Sequence, residues 1–177
     1  MQNKKKLALG AIVAIVPVLV IVGLAAAGGG QSSVADLRQA TAAYHDLDAA
    51  NAAGYTVELA QTDAYGGGTC IDGGSAGAMG IHLLSPSRID GNLVPTEPEA
   101  LLYERRNDGS LKLTGVEYIV AGGPQPTLYG QQFADTNLGR YGDPNTNVWT
   151  LHAWVWKPNP SEPFGIFSPW NPRVSCN

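Results

Sequence analysis

The segment at residues 149–156, WTLHAWVW, constrains the fold of this chain more than any other stretch. In an extended strand, successive side chains point to opposite faces of the sheet. One face of this strand would carry four apolar residues, namely Trp149, Leu151, Ala153 and Val155. The other face would carry Thr150, His152, Trp154 and Trp156. Because both faces are largely apolar, we expect a central strand, either in a sandwich or in the wall of a small closed barrel.

The length and composition favour one domain built from short strands. A chain of 177 residues suits a single core, and its 22 glycines and 12 prolines favour strands joined by turns over long helices. One helix is predicted over residues 33–53, because Ser33 and Asp36 have capping-box spacing and apolar residues recur at helical intervals. Gly54 is a natural stop for that helix.

The remaining periodicity predicts strands separated by glycine-rich turns. We expect strands at residues 55–60, 79–84, 100–104, 111–120 and 149–156. The turn at residues 107–110, NDGS, predicts that the third and fourth strands form an antiparallel hairpin. Residues 121–147 and 157–175 give no clear pattern, although the second segment carries enough aromatic residues to form an ordered cover over the sheet. The predicted fold class is therefore α+β, mainly antiparallel, with one N-terminal helix on a curved sheet, small barrel or sandwich.

The N-terminal segment has the character of a membrane anchor or signal peptide. Three lysines at residues 4–6 precede an uncharged run at residues 7–27, which is long enough to span a bilayer. Three alanines at residues 25–27 also resemble a cleavage site, so cleavage after Ala27 is the alternative. Residues 1–30 are thus expected to be an anchor or signal with a glycine-rich spacer, and residues 31–177 a single extracytoplasmic domain.

The charge of that domain argues against nucleic acid as a partner. Without the three lysines, eight basic residues face 15 acidic ones, which gives a formal charge of −7. Phosphate binding requires a basic surface, whereas an acidic domain is compatible with a cationic ligand.

Both cysteines lie in the domain expected to be exported. Outside the cytoplasm thiols tend to pair, so a disulfide between Cys70 and Cys176 is predicted. A metal–thiolate pair is the alternative.

Four motifs carry a family resemblance. They are AYHDLDAANAAGYT, GAMGIHLL, LLYE…LTGVEY and WTLHAWVWKPNP…FSPWNPRVSC. Together they resemble a family of secreted or membrane-anchored bacterial proteins of unassigned function, over most of residues 31–177. The resemblance implies that these segments form one domain, and it implies no activity.

The candidate chemistry rests on three histidines and one carboxylate. His45 lies in the predicted helix, His82 and His152 lie in predicted strands, and Glu117 shares an apolar strand face with Leu111, Leu113 and Ile119. Burying an unpaired carboxylate costs several kcal/mol, and a bound cation would remove that penalty. The four side chains suffice as ligands for a transition metal ion such as Zn(II), Cu(II) or Fe(II).

Structural explanations compete with this metal site. His45 would then be a half-exposed surface residue, and His82 and His152 would be neutral core histidines with hydrogen-bond partners such as Tyr118 or Thr150. Glu117 would pair with an arginine, for which the candidates are Arg88, Arg140 and Arg173.

Two enzyme-like alternatives have weak support. A haem with His82 or His152 as axial ligand lacks a CxxCH motif, and Ser75 has only a formal GxSxG match in a glycine-rich loop. The carboxylates Glu97 and Glu99 stand beside prolines and are expected to be solvated.

A binding module without a metal is the second class of function. An aromatic platform for a glycan or an apolar small molecule would use the residues Trp154, Trp156, Trp170, Tyr118 and Tyr141. A structural envelope protein is the third class. The sequence favours an extracytoplasmic envelope protein whose His- and Glu-lined pocket binds a transition metal or a small ligand, and it supports no specific reaction.

Overall fold

A computed structural model of the protein describes residues 33–59, 69–136 and 147–176. Its N-terminal part is helical and comprises helix α1 (Val34–Thr41), a 3-10 turn (Ala42–His45) and helix α2 (Leu47–Ala52). Ser33 and Asp36 form the predicted capping box, in which the Ser33 hydroxyl accepts from the Asp36 backbone N–H and the Asp36 carboxylate accepts from the Ser33 N–H. The helical segment is interrupted at Asp46, which has an extended backbone and caps α2 by accepting from the Asp48 N–H. Aspartate competes with helix continuation in this way, so two short helices replace one long one.

The described strands form one main sheet and a small hairpin. The main sheet contains β1 (Val57–Glu58), β2 (Cys70–Asp72), β3 (Ala78–Leu84), β4 (Ala100–Arg105), β5 (Leu111–Ala121), β8 (Ala134–Asp135) and β9 (Val148–Ala153). The hairpin pairs β6 (Thr127–Leu128) with β7 (Gln131–Gln132). The strand order in the sheet is β1-β3-β4-β5-β9-β8, with β2 also paired to β3, and every pairing is antiparallel. The predicted α+β, mainly antiparallel class is therefore confirmed, including the β4–β5 hairpin.

Within the described residues the sheet is open, so the barrel alternative is wrong. Strands β1 and β2 lie at one edge and β8 at the other, and these edges do not pair. The tryptophan strand is also shorter than predicted, because β9 ends at Ala153. It has a neighbour on both sides, since β5 pairs with one edge of it and β8 with the other. Three of the short strands, β6 to β8, lie within residues 121–147, a segment without a clear pattern in the sequence.

The two faces of the sheet are packed differently. The larger cluster joins Leu37 and Ala50 of the helical segment to residues such as Leu83, Leu101 and Tyr118 on one face. On the opposite face two small apolar clusters are present. The first contains Ala78, Leu102, Trp154 and Val174, and the second contains Leu84, Ala100, Ile119 and Val148. Side chains that point to this face between the two clusters are therefore buried, on the side of the sheet away from the helices.

A β-bulge in the β4–β5 hairpin decides which face Glu117 occupies. Leu102 pairs with Gly115, whereas Tyr103 pairs with Leu113, so Thr114 is an extra residue on β5. The bulge resets the alternation of side chains along β5. Leu113 therefore packs in the large cluster on the helical side. The prediction that Leu111 and Leu113 share the face of Glu117 is wrong for this reason, whereas the prediction for Ile119 is confirmed.

The C-terminal segment covers the end of the sheet near β9. The Trp154 indole N–H donates to the Ser168 carbonyl over 2.6 Å, and the Trp154 backbone N–H donates to the Ile166 carbonyl over 2.8 Å. The predicted disulfide joins Cys70 of β2 to Cys176, with Cα atoms 5.5 Å apart. It fastens the end of the chain to the sheet.

In the part of the chain that the structure describes, no helix is long and apolar enough to cross a membrane. The anchor or signal predicted at residues 7–27 lies outside the described residues.

Candidate metal site

Three strands bring His82, Glu117 and His152 together on the sheet face away from the helices. Glu117 of β5 stands directly opposite His152 of β9 and, on its other side, opposite Ala100 of β4. His82 lies on β3. Strand β4 separates β3 from β5, so the backbones of β3 and β5 are about 9.5 Å apart. The small side chain of Ala100 leaves room for the His82 ring and the Glu117 carboxylate to meet above β4.

The three side chains converge through their terminal polar atoms. Glu117 Oε2 lies 3.4 Å from His82 Nε2, and Glu117 Oε1 lies 3.7 Å from His152 Nε2. One ligand atom from each residue can be chosen so that all lie within 4.8 Å of one another. The imidazole rings are 5.9 Å apart between centroids and nearly perpendicular, at 89°. Both histidines thus direct a ring nitrogen at one carboxylate.

The group is buried, and its burial favours uncharged side chains. Exposed fractions are 1% for His82, 6% for Glu117 and 3% for His152. Desolvation raises the pKa of Glu117 to about 8, although a hydrogen bond with the Thr150 side chain opposes that rise. Desolvation, with a contribution from His82, lowers the pKa of His152 to about 3. His152 is therefore neutral at physiological pH, which is the form that binds metal ions.

The His82 ring is oriented by its own strand. His82 Nδ1 lies 3.2 Å from the Gly80 carbonyl oxygen, which can only accept a hydrogen bond. In the neutral ring Nδ1 then carries the proton, and the lone pair of Nε2 is directed at Glu117. A backbone carbonyl that fixes the tautomer in this way is the usual partner of a metal-binding histidine.

His152 Nε2 lacks a hydrogen bond. It is one of two buried side-chain polar atoms in the described residues without one, the other being Arg88 Nε. The 3.7 Å separation from Glu117 Oε1 is too long for such a bond. A buried polar atom without a partner costs about 1–3 kcal/mol, so a neutral core histidine does not account fully for this arrangement.

The spacing of the ligand atoms suits a small metal ion. Nitrogen and oxygen ligands about 2.0–2.2 Å from a tetrahedral Zn(II) lie roughly 3.3–3.6 Å from one another. The contact of Glu117 Oε2 with His82 Nε2, at 3.4 Å, and that of Glu117 Oε1 with His152 Nε2, at 3.7 Å, are close to that separation, and one ligand atom from each residue lies within 4.8 Å of the others. Two imidazoles and one carboxylate are ligands for Zn(II), Cu(II) and non-haem Fe(II) alike, and three protein ligands leave a coordination position open.

The fourth predicted ligand, His45, is not part of this group. It is exposed at the end of the 3-10 turn on the helical side, and its ring packs edge-on against Trp156, 4.4 Å between centroids. Its pKa is lowered by partial burial and by the nearby Lys112 and Arg106. His45 thus contacts the helical side of the sheet and does not face Glu117.

The ion-pair alternatives for Glu117 are resolved in part. In the described residues its ion-pair contacts are with His82 and His152, while Arg88 approaches Glu97 at 4.0 Å. Arg140 lies outside the described residues. Among the described residues, therefore, no lysine or arginine side chain forms an ion pair with Glu117.

The predicted aromatic platform is dispersed. Trp154 is buried beside His152, whereas the indole N–H of Trp156 donates to Thr41 on the helical side, and Trp170 packs over Gly73. Tyr118 is buried, and its hydroxyl donates to the Pro95 carbonyl. Tyr141 lies outside the described residues. The prediction that these side chains form one surface does not fit their positions.

A different aromatic cluster is part of the large apolar cluster on the helical side of the sheet. It consists of Tyr118, Tyr129, Phe133 and Phe167, in which Tyr129 stacks on Phe167 with centroids 5.9 Å apart. Phe133 and Phe167 line a cleft of about 570 Å³, and His152 and Thr150 line it too. No sequence pattern indicates this cleft, because its wall comes from residues 125–136 and from the proline-rich cover.

Glu99 is a second buried carboxyl group, contrary to the expectation that it is solvated. It is 1% exposed, and its Oε2 accepts from the Ile119 backbone N–H over 3.0 Å. Burial raises its pKa to about 7. The neighbouring proline is a poor guide here, because Glu99 immediately precedes β4 and its side chain reaches the backbone of β5.

The formal GxSxG match does not form a catalytic elbow. Ser75 is exposed on a 3-10 turn between β2 and β3, and the chain continues from that turn into strand β3. A nucleophile elbow requires a sharp turn from a strand into a helix.

Comparisons with protein-family models, curated proteins and solved structures gave no match to this chain. The resemblance to secreted or membrane-anchored bacterial proteins stays a prediction.

Proposed function

We propose that this protein is an extracytoplasmic envelope protein that binds one transition metal ion through His82, Glu117 and His152. The observation that carries the proposal is the convergence of three buried ligand atoms, one of which, His152 Nε2, has no hydrogen bond. A metal ion accounts for that orphaned nitrogen and for the buried carboxylate at once. The metal is Zn(II), Cu(II) or Fe(II), since two imidazoles and a carboxylate suit each of them.

The location outside the cytoplasm is supported by the sequence and by the disulfide. The uncharged run at residues 7–27 follows three lysines, as in anchors that direct the following domain outward. A disulfide such as Cys70–Cys176 is typical of an oxidising compartment. This placement is part of the proposal, as is membership of the envelope-protein family that the motifs resemble.

The test is metal stoichiometry in the purified full-length chain. The protein is stripped with a chelator, incubated separately with Zn(II), Cu(II) and anaerobic Fe(II), freed of excess metal and analysed for bound metal. We expect about one equivalent for at least one of the metals, and His82→Ala, His152→Ala and Glu117→Gln should each reduce it to less than about a tenth.

His45→Ala is the matched control, because it removes an imidazole that lies outside the group. It should bind as much metal as the wild type. Far-UV circular dichroism of each variant separates loss of ligand from loss of fold. If the folded wild type retains less than about a tenth of an equivalent of every metal, the proposal is rejected.

A further inference from the structure

A cleft lies against the candidate metal site and shares a wall with it. Thr150 and His152 line the cleft, and the Thr150 side chain is also hydrogen-bonded to Glu117. An occupant of the cleft would therefore contact one of the three candidate ligands, His152, and the Thr150 side chain that is hydrogen-bonded to a second, Glu117. The volume of about 570 Å³ is in the range of small-molecule sites, which is roughly 300–1,000 Å³.

The rest of the cleft is predominantly apolar and aromatic. Its walls include Met79, Phe133 and Phe167, and Phe164 lies at the cleft with 56% of its surface exposed. Phe164 is the most exposed large hydrophobic side chain in the described part of the chain. Exposed aromatic residues that border an apolar cleft are typical of a ligand-binding site. The polar side chains of the cleft are Thr136, Thr150, His152 and three amides, Gln125, Gln131 and Gln132.

The charge of a loaded site selects the kind of ligand. Two neutral imidazoles, one carboxylate and a divalent ion leave a net charge of +1 in a buried position, which is costly unless it is neutralised. The three protein ligands also leave a coordination position to be filled from outside the group. An anionic oxygen satisfies both requirements.

We infer that the cleft binds a small aromatic molecule with an anionic oxygen, of the benzoate class, whose oxygen completes the coordination of the metal. The inference rests on the proposed metal site and names the ligand that this site takes. The ring of the molecule packs against the aromatic side chains that line the cleft, Phe164 and Phe167 among them, and its charged group faces His152.

The experiment uses the full-length chain loaded with Co(II), whose visible absorption reports changes in coordination. Benzoate is titrated, with acetate as a carboxylate without a ring and benzamide as a neutral ring of similar shape. We expect benzoate to change the Co(II) spectrum with a Kd at least tenfold lower than that of acetate, and benzamide to leave the spectrum unchanged.

Variants of two exposed apolar residues make the test specific. Phe164→Ala should raise the Kd of benzoate about tenfold and leave the binding of Co(II) and acetate unchanged. Val57→Ala, which truncates an exposed apolar side chain of β1 outside the cleft, should alter neither.

The two proposals fail in different ways. If Co(II) and the other metals do not bind, the metal site itself is rejected. If Co(II) binds but benzoate is no tighter than acetate, or binds without any change in the Co(II) spectrum, the metal site stands and the ligand inference is overturned.

Discussion

Glu117 is a carboxyl group in a place where a negative charge is poorly solvated. Its neighbours are two imidazoles and the hydroxyl of Thr150, and none of these is a permanent cation. Either a proton or a metal ion can remove the cost of burying its charge. The metal-free protein should therefore keep Glu117 protonated at neutral pH, and metal binding should release that proton.

The stability of the metal-free protein should depend on pH through Glu117. Its pKa is about 8 in the folded state, against 4.5 for a solvated glutamate, so the folded state holds one more proton between those values. The free energy of unfolding then falls as the pH rises through this interval, by on the order of a few kcal/mol. Glu99 acts in the same direction up to about pH 7, so the interval from pH 7 to 8 is diagnostic of Glu117. Urea unfolding in a chelator at pH 6, 7 and 8 measures the effect.

Glu117→Gln should abolish the decline between pH 7 and 8, whereas exposed Glu58→Gln should leave it unchanged. Between pH 4.5 and 6.5 His152, whose pKa is about 3 when folded, opposes the two carboxyl groups, and below about pH 4.5, where both carboxyl groups are protonated in either state, it reverses the sign. The folded state then holds one proton fewer than the unfolded state, and stability is lost as the pH falls toward 3. A wild-type profile that is flat from pH 7 to 8 would show that Glu117 is not held protonated.

Gly80 is the backbone position that most directly constrains His82. Its φ is +83°, a Cβ atom there would lie 2.4 Å from the Tyr103 carbonyl oxygen, and its own carbonyl contacts His82 Nδ1. Gly80→Ala should reduce the free energy of unfolding by at least about 2 kcal/mol, from backbone strain and from separation of β3 and β4. Chemical denaturation measures the loss, and metal binding should weaken with it.

Gly109→Ala is the control for strain alone. Gly109 has a similar φ of +85°, but nothing lies within 4 Å of an added Cβ atom. It should cost roughly 1 kcal/mol and leave metal binding intact. Equal losses for the two variants would show that crowding at Gly80 contributes nothing.

At the scale of elements, local patterns predict where strands form but not how each one is aligned. The alternation in β3 places His82 on the correct face because residues 81–84 pair with β4 in unbroken register. The same reasoning misplaces Leu113 relative to Glu117, because the bulge at Thr114 shifts the alternation by one residue. Gly115 follows the extra residue, and Trp154 lies close to it. A glycine within a strand is a signal for a bulge, although it does not specify where the extra residue stands.

The contact between α1 and the end of β9 is an element-level interaction that can be tested. Arg38 Nε donates to the Val155 carbonyl over 2.8 Å, and the guanidinium lies over the Trp156 ring at 5.5 Å. Arg38→Ala should lower the free energy of unfolding by about 1–2 kcal/mol, because it removes a charged hydrogen bond and a cation–π contact. Thermal unfolding measures the shift, with exposed Arg105→Ala as the control that should change it by less than about 0.5 kcal/mol. Comparable shifts for the two would argue against a role for Arg38 in holding the helix.

At the scale of the whole molecule, the members of the site can be read from the sequence but their assembly cannot. His82, Glu117 and His152 stand out because each is a polar residue in a strand of apolar neighbours. Their convergence depends on the order of β3, β4, β5 and β9 in the sheet, and no local spacing encodes that order. The same limitation explains why sequence patterns group His45 with them, since the face on which the helix packs is also a long-range property. The cleft is not predictable in this way, because it lies between segments without a regular pattern.

The disulfide is the feature whose removal should affect the whole molecule. It closes a loop with a sequence separation of 106 residues, so the double variant Cys70→Ser/Cys176→Ser should lose about 4–5 kcal/mol of unfolding free energy in the chain-entropy model. Near this bond, Val174 packs in the cluster that contains Trp154, and the Trp154 ring stacks on His152 with centroids 6.0 Å apart.

Release of the C-terminal cover should therefore also weaken the metal site, and we expect the metal Kd to rise at least tenfold in the folded double variant. Urea unfolding and metal titration of the wild type, with and without a reductant, provide the matched comparison, because the double variant should not respond to the reductant. A loss of stability with unchanged metal affinity would show that the cover and the site are independent. Unchanged stability would show that the cross-link does not restrict the unfolded chain.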